Sequence, residues 1–331
     1  MLTINLTALA STEYTNHNNV LKNIQKKNWH KTCFSATEHF ERNCSHLLTH
    51  LRKMIMKLLS ISTTVFAGLI LSATAQALVI TPENNGTTLA NTILGSGITV
   101  SNVTYSGANG ASGSFTGGNS SGLDIDKGIV LSSGQAVTAQ GPNNNTGATT
   151  NNGFAGYAPL DVLASATTHD STVLGFDFEF DGGAGGDLFF NFIFGSEEYL
   201  EWVNKGFNDV FGFFVDGVNT AFVPSTTTPI SVDNINTTTN SSLFVDNTAG
   251  IHNTQMDGFT KAMQINLKGL STGKHTMEFA IADTGDFILD SWIFIEADSF
   301  SNVPTNTVPE PSSLILLGLG LLSLGFARKK L

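Results

Sequence analysis

Residues 176–199 read FDFEFDGGAGGDLFFNFIFGSEEY, and the two apolar parts of this segment have the patterns of two kinds of β-strand. In 176–180, Phe alternates with an acidic residue, which is typical of a strand with one buried face and one face in water. Residues 181–186 are mostly Gly and predict a turn. In 188–194, both faces are apolar except at Asn191, which predicts a central strand covered on both sides.

The same period-two pattern recurs along the chain, and no long stretch keeps the apolar spacing of a helix. Short helical turns are predicted only at 159–166 and 196–203. The predicted strands are 98–105, 129–132, 173–180, 188–194, 210–215, 230–235, 262–267, 275–282 and 292–297. Together they predict a single all-β domain over residues 78–300, with a β-sandwich or jelly-roll-like architecture. A polar linker is expected at 301–308.

Residues 54–77 read MIMKLLSISTTVFAGLILSATAQA, which is the layout of a secretory signal peptide. Its apolar core is shorter than the roughly 20 residues of a transmembrane helix. Ala75 and Ala77 have the small-x-small spacing of a cleavage site. Because a signal peptide belongs at the N-terminus, we interpret residues 1–53 as an extension produced by a start codon chosen in error. The alternative is a genuine cytoplasmic extension.

The part of the chain that would be exported lacks cysteine and is strongly acidic. The two cysteines, Cys33 and Cys44, precede the signal peptide, so neither disulfides nor thiolate metal sites are expected after it. Between residues 78 and 304, five Lys and no Arg oppose 23 Asp and Glu, and 5 − 23 gives a formal charge of −18. This charge argues against nucleic acid and anionic membranes as partners.

The C-terminal segment 309–331 combines a short motif with an apolar run. Pro309, Glu310 and Pro311 precede the apolar residues 312–327, and Arg328-Lys329-Lys330 follows. The segment resembles a PEP-CTERM sorting signal. The resemblance implies that an exosortase recognises the motif and cleaves near it, after transient insertion of 312–327 as a helix in the inner membrane. The alternative is a permanent one-helix anchor. In both cases the basic end would stay cytoplasmic and the domain would lie outside.

The central region resembles the choice-of-anchor L domain, a family of bacterial extracellular domains joined to varied sorting tails. The resemblance spans residues 88–300. It rests on Gly128-Ile-Val-Leu-Ser-Ser-Gly134, Phe178-Glu179-Phe180, Phe192-Ile-Phe-Gly-Ser-Glu-Glu-Tyr199, Phe207-Asn-Asp-Val-Phe-Gly-Phe-Phe214, Ala282-Asp-Thr-Gly-Asp286 and Leu289-Asp-Ser-Trp-Ile-Phe294. It implies an extracellular β-sandwich. It implies neither a known reaction nor specific binding residues.

Two groups of acidic residues are the candidate metal ligands. They are Glu197, Glu198 and Asp209 in the middle of the chain, and Asp283, Asp286 and Asp290 near its end. Oxygen ligands in Gly-containing loops suit Ca²⁺, which takes six to eight oxygens. The spacing does not match an EF-hand loop. The alternative interpretation is that these acids are solvated in loops or hydrogen-bonded to turns.

Catalytic patterns are weak, and we expect a protein without enzymatic activity. Glu197 and Glu198 are adjacent and would point in different directions, although a pair such as Glu198 and Asp283 stays open for a glycosidase. Aromatic residues near loops, including Tyr157, Tyr199 and Trp202, could stack on sugars or could simply pack in the core.

From these features we expect an exported protein that an exosortase processes. It would act at the cell surface or in an extracellular polysaccharide matrix, with a structural or adhesive role. The first alternative is a carbohydrate-binding module of the exopolysaccharide matrix, and the second is a secreted hydrolase.

Overall fold

The computed structural model describes residues 77–305. The predicted N-terminal extension, nearly all of the signal peptide and the segment 309–331 lie outside the described residues. Within 77–305, no helix is both long enough and apolar enough to span a membrane.

The described chain is mostly β and forms two antiparallel sheets, as predicted. The strands are β1 (Val79–Pro82), β2 (Ile98–Ser106), β3 (Ser112–Thr116), β4 (Gly128–Ser132), β5 (Thr168–Phe180), β6 (Gly186–Ser196), β7 (Val210–Val215), β8 (Val218–Asn219), β9 (Phe244–Asp246), β10 (Gly258–Thr260), β11 (Met263–Leu270), β12 (His275–Thr284) and β13 (Ser291–Glu296). The helices are α1 (Gly86–Ile93), α2 (Gly118–Ser121) and α3 (Ala158–Ala164), and 3₁₀ turns lie at Ala136–Ala139, Asp181–Gly183 and Ser241–Leu243.

Sheet 1 has eight strands in the order β1-β3-β4-β13-β6-β10-β9, and β11 also pairs with β6. Sheet 2 has five strands in the order β2-β5-β12-β7-β8. The two sheets share one buried core, because aromatic rings of β6 meet rings of β7 and β12. The ring centroid of Phe190 lies 4.3 Å from that of Phe213 and 5.3 Å from that of Phe279. The domain therefore has two packed layers.

Strand β6 is central, as its apolar pattern predicts. It pairs with β13 on one side and with β10 and β11 on the other. All residues from 188 to 194 are buried. Asn191 is buried as well, and its amide donates to the Glu296 carboxylate at 2.6 Å and to the Thr305 hydroxyl at 2.9 Å. A single polar residue is tolerated in this strand because it has hydrogen-bond partners.

The alternation in β5 is also confirmed. Phe176, Phe178 and Phe180 are buried in the shared core, while Asp177 is half-buried and Glu179 is exposed. The three rings face the opposite sheet, and the acidic residues face outward. The period-two pattern therefore assigned both faces of this strand correctly.

The predicted strand at 230–235 is wrong. Only one isolated bridge, between Val210 and Ser231, links this segment to β7. The chain then turns, since the amide N–H groups of Asn234 and Ile235 both donate to the carbonyl of Ser231. Ile235 is nevertheless buried in the shared core. The apolar residues of this loop have the spacing of a strand because they are buried. The sequence pattern alone cannot distinguish a buried loop of this kind from a strand.

The predicted helical turn at 159–166 is confirmed as α3. Residues 196–203 form no helix, and of the predicted turn only one α-helix-type hydrogen bond is present, from the amide N–H of Trp202 to the carbonyl of Glu198 at 3.1 Å. Residues 199–206 form successive turns. The amide N–H of Glu197 donates to the carbonyl of Asp290 at 3.1 Å, so the backbone here continues the pairing of sheet 1. This interstrand hydrogen bond holds Glu197 in the sheet pairing and so prevents a helix from beginning at residue 196.

The chain stays attached to sheet 1 beyond β13. Phe189 and Ser301 exchange two backbone hydrogen bonds of 2.9 and 3.0 Å. Thr305 accepts from Asn191 through its hydroxyl and from Gln264 through its carbonyl. The first residues of the segment expected to be a linker are therefore part of the folded domain.

Candidate functional site

Four strand ends bring buried acidic residues to one end of the two-layer domain. Glu197 and Glu198 follow β6, Asp209 precedes β7, Asp283 lies near the end of β12, and Asp290 precedes β13. We call these five residues the acidic cluster. Five of the six sequence-predicted metal ligands belong to it.

In sheet 1 the strand register sets the position of two members. Ser291 of β13 pairs with Ser196 of β6. The next residues outward, Asp290 and Glu197, are joined by the backbone hydrogen bond between them. Antiparallel pairing therefore brings together acids that are far apart in the sequence.

In sheet 2 the same geometry holds for the other strand pair. Ala282 of β12 pairs with Val210 of β7, so Asp283 and Asp209 come next along the two strands. A hydrogen bond of 2.7 Å from the Ser291 hydroxyl to Asp209 Oδ2 then connects this pair to sheet 1. The acidic cluster consequently lies where the two sheets meet.

The side chains of the acidic cluster are removed from water without basic partners. No member is more than 1 % exposed. The ion pairs among the described residues lie elsewhere, at Lys127–Asp298, Lys274–Asp177 and His275–Asp216. Burying a carboxylate without a compensating charge is unfavourable, so the cluster must hold protons or a cation.

Two members of the cluster have donors for their oxygens. Asp209 Oδ1 accepts from the amide N–H of Thr284 at 2.9 Å, and its Oδ2 accepts from Ser291. Asp290 Oδ1 accepts from the amide N–H of Thr150 at 2.8 Å. These hydrogen bonds fix the two carboxylates in place and attach the loop at Thr150 to the cluster.

The other three members have buried oxygens without a hydrogen-bond partner. Both oxygens of Asp283, Oε2 of Glu198 and Oε1 of Glu197 are in this state. The Ser133 hydroxyl lies close enough to lower the pKa of Asp283, but neither Asp283 oxygen meets hydrogen-bond geometry. The second oxygen of Glu197 accepts from the amide N–H of Ala148 at 3.1 Å. Native proteins leave few buried polar atoms unpaired, so this concentration requires an explanation.

Burial is the main cause of raised pKa values throughout the cluster. Burial raises the pKa of Glu197 to about 8 and that of Asp290 to about 7. The pKa values of Glu198, Asp209 and Asp283 are also raised, first by burial and then by neighbouring negative charges. For Glu198 and Asp283, the largest of those charges is Asp209, which therefore lies near both.

Asp286, the sixth predicted ligand, lies outside the buried set. It is half-buried, and its Oδ1 accepts from the amide N–H of Ile288 at 3.1 Å, as in an Asx turn. Its charge nevertheless raises the pKa values of Asp209 and Glu198. Asp286 thus lies beside the cluster on the loop after β12. Within residues 77–305, no three His, Cys, Asp or Glu side chains are already arranged to hold a metal ion.

Two further buried acids were not singled out from the sequence. Asp170 in β5 accepts from the amide N–H of Asn152 at 2.7 Å, and Asp257 accepts from the Asn143 amide at 2.7 Å. Burial raises the pKa of each. Both fix neighbouring Asn-rich loops, and the sequence around them has no signal that would distinguish them from ordinary loop acids.

A separate surface cleft of about 290 Å³ lies beside β2 and β5. Its lining includes Tyr105, Phe154, Tyr157 and Glu278. The Tyr157 hydroxyl donates to Glu278 Oε2 at 2.7 Å, and Phe154 is 42 % exposed. The cleft therefore combines aromatic faces with a fixed carboxylate.

The other aromatic residues considered for sugar stacking do not line this cleft. Tyr199 is buried, and its hydroxyl donates to the carbonyl of Ile235 at 2.8 Å. Trp202 is 40 % exposed and packs edge-on against Phe207, with ring centroids 5.2 Å apart. Of the three, only Tyr157 lines the cleft.

Comparison with known proteins identifies two regions. The family model of the Choice-of-anchor L domain matches residues 79–301, and that of the PEP-CTERM protein-sorting motif matches residues 307–329. No curated protein and no solved structure matches the chain. The PEP-CTERM motif is the recognition signal of exosortase and indicates an exported protein directed to the cell surface.

Proposed function

Because this chain belongs to the Choice-of-anchor L domain family and carries a PEP-CTERM motif, we propose that it is a non-enzymatic component of an extracellular polysaccharide matrix. Its role is structural or adhesive. The observation that carries the proposal is the sorting motif, which begins at residue 307, close behind a folded β-domain. In this arrangement the motif directs the sorting of the domain that precedes it.

Processing follows from the same proposal. The exosortase recognises Pro309, Glu310 and Pro311 and cleaves near them, after residues 312–327 have entered the inner membrane for a short time. The domain is then displayed at the surface or released into the matrix. Its formal charge of −18 over residues 78–304, from five Lys against 23 acids (5 − 23), favours neutral or cationic matrix polymers.

The test follows the protein in a bacterial host that has an exosortase. We expect the mature C-terminus, measured by mass spectrometry, to lie near residue 309, and the protein to fractionate with the extracellular matrix. Glu310→Ala should leave an uncleaved, membrane-associated chain. The control Asp124→Ala changes an exposed acid of the domain and should be processed normally. Full-length protein in the cytosol, or equal processing of both variants, would contradict the proposal.

The surface cleft favours a second candidate function, the binding of neutral glycans. Aromatic faces stack on sugar rings, and the Glu278 carboxylate, fixed by Tyr157, can accept from sugar hydroxyls. A glycan array probed with the purified protein tests this candidate. Binding should fall at least tenfold in Phe154→Ala and persist in Ile251→Ala, which removes an exposed apolar side chain that does not line the cleft. Absence of binding to any neutral glycan would leave the structural role alone.

A further inference from the structure

We propose that the acidic cluster binds one Ca²⁺ ion, with Asp283 and Glu198 as direct ligands and Asp209 between them. This inference goes beyond a role in the matrix and does not depend on it. The buried oxygens that lack donors lie at one end of the domain, on Asp283 near the end of β12 and on Glu197 and Glu198 just after β6.

The unpartnered oxygens are the first argument. Asp283 is fully buried, and neither of its oxygens has a hydrogen-bond partner. Glu198 Oε2 is also buried and also lacks a partner. A bound cation would satisfy the Asp283 and Glu198 oxygens together, because each has free lone pairs.

The charge balance is the second argument. The described residues include five Lys and no Arg, and none of the ion pairs among them involves the cluster. Lys205, on the loop between β6 and β7, is exposed. Buried charges in proteins are paired or coordinate metals, and no ion pair between the described residues supplies this cluster with a cation.

The donor set selects the kind of cation. All candidate ligands are oxygens, which suit Ca²⁺ and Mg²⁺ and disfavour metals that prefer imidazole or thiolate. His169 pairs with Asp283 in the strand register, but its ring stacks on Phe287 with centroids 4.2 Å apart. Ca²⁺ tolerates irregular coordination by side chains, backbone carbonyls and water, whereas Mg²⁺ requires a near-octahedral shell.

The position of Asp286 explains how the shell would be completed. This residue lies on the loop after β12, beside Asp209 and Glu198, and it follows Gly285, which has a φ of +89°. A movement of this loop would bring its carboxylate to the ion. Residues 77–305 hold no preformed set of three ligating side chains, so backbone carbonyls and water would have to supply the other ligands.

The competing explanation is that the cluster holds protons in place of a cation. Protons and Ca²⁺ would compete for the same oxygens, so binding should weaken as the pH falls. The titratable groups that face the cluster from neighbouring elements are Asp170, Glu201, Asp233, Asp257 and Asp286. Under the proton explanation, Asp283→Asn would keep the shape and the hydrogen-bonding capacity and would change little.

The test is equilibrium dialysis of the purified full-length protein against ⁴⁵Ca²⁺, with EDTA-treated protein as the starting material. We expect one ion per chain at about pH 7.5 and at least a tenfold weaker affinity at about pH 5. Extracellular Ca²⁺ sites have dissociation constants of about 0.1–1 mM, so about 5 mM Ca²⁺ should raise the thermal midpoint by about 2–9 °C. Mg²⁺ should raise it less.

Variants decide between the two explanations. Asp283→Asn and Glu198→Gln should each lower the ⁴⁵Ca²⁺ affinity at least tenfold, while Asp124→Asn, at an exposed acid, should bind as the wild type does. If Asp283→Asn does not fold, Glu198→Gln and the wild-type dialysis still decide. No bound ⁴⁵Ca²⁺ at about 5 mM, or unchanged binding in either cluster variant, would overturn the proposal.

Discussion

Gly134 lies against the carboxylate of Asp290, and replacing it with Ala tests whether the cluster geometry is fixed. A Cβ added at residue 134 would lie 1.8 Å from Asp290 Oδ2 and 2.0 Å from its Cγ, far inside van der Waals contact. Asp290 is fully buried and held by the amide N–H of Thr150, so its carboxylate has little room to move.

The expected cost of Gly134→Ala follows from three contributions. Overpacking a buried site costs about 1–3 kcal/mol. Displacing Asp290 also breaks its hydrogen bond with Thr150, which costs about 1–3 kcal/mol when a buried group is left unpaired. The reduced entropy of the unfolded chain returns about 0.4–1 kcal/mol. We therefore expect the free energy of unfolding to fall by about 1–5 kcal/mol.

Urea unfolding, followed by circular dichroism, measures this change. The matched control is Gly147→Ala, where the nearest atom to the added Cβ would be Leu289 Cδ2 at 3.5 Å, an ordinary contact. Asp290→Ala should remove most of the cost of Gly134→Ala, so the two substitutions should be non-additive by about 0.5–3 kcal/mol. Equal stability of Gly134→Ala and Gly147→Ala, or strict additivity with Asp290→Ala, would refute the geometry.

The remaining predictions concern the core and the pH dependence of stability. Phe190→Ala should lower the free energy of unfolding by about 3–5 kcal/mol, because the ring packs between the sheets. Phe154→Ala, at a half-exposed side chain, should change it by less than about 1 kcal/mol. Similar losses for the two variants in urea unfolding would contradict the shared core. In EDTA, the acidic cluster should stabilise the fold fully below the unfolded carboxyl pKa of about 4. This stabilisation should be lost as the pH rises through about 7–8, because these are the raised pKa values of Asp290 and Glu197. A thermal midpoint that rises from pH 5 to pH 8 would contradict this expectation. Burial alone would lower the pKa of His275, but the hydrogen bond and charge of Asp216 raise it overall. His275→Asn should therefore lower the free energy of unfolding by up to about 1 kcal/mol at pH 5.5 and by less at pH 8.5. Urea unfolding at both pH values checks the sign.

The sequence predicted strands well where hydrophobic periodicity and burial coincide. The alternation of Phe and acid in β5 and the continuous apolar run in β6 both reflect the two packed layers. The segment 230–235 has similar spacing but forms turns, partly because the Asn236 side-chain amide donates to the carbonyls of Val232 and Asp233. Local hydrogen bonds of this kind compete with strand pairing and are not visible in the apolar pattern.

Helix α1 shows a second limit of sequence patterns. It was not predicted, because its sequence GTTLANTI begins with Gly and contains three Thr, which are poor helix formers. The Asn85 side chain caps it by accepting from the amide N–H groups of Thr87 and Thr88. Leu89 and Ile93 are buried against the shared core, and this packing outweighs the low propensity.

For the acidic cluster, the sequence identified all five members but did not show that they lie together in the fold. Asp209 and Asp283 are brought together only by the register of β7 with β12, and Glu197 and Asp290 only by that of β6 with β13. Strand register depends on pairing over long sequence distances, so spacing in the sequence cannot reveal it. Asp170 was missed for the same reason, since its burial results from tertiary packing.

The hydrogen bonds at Thr305 limit how far the domain can stand from its sorting motif. Only residues 306–308 separate Thr305 from Pro309, and a chain extends by at most about 3.5 Å per residue, so the span cannot exceed about 14 Å. A membrane enzyme cutting near Pro309 would work within that distance of a finished sheet. The exported product would keep only a few residues after the domain. The molecule that accepts the new C-terminus would therefore contact the surface of the domain itself, because no long flexible linker would separate them.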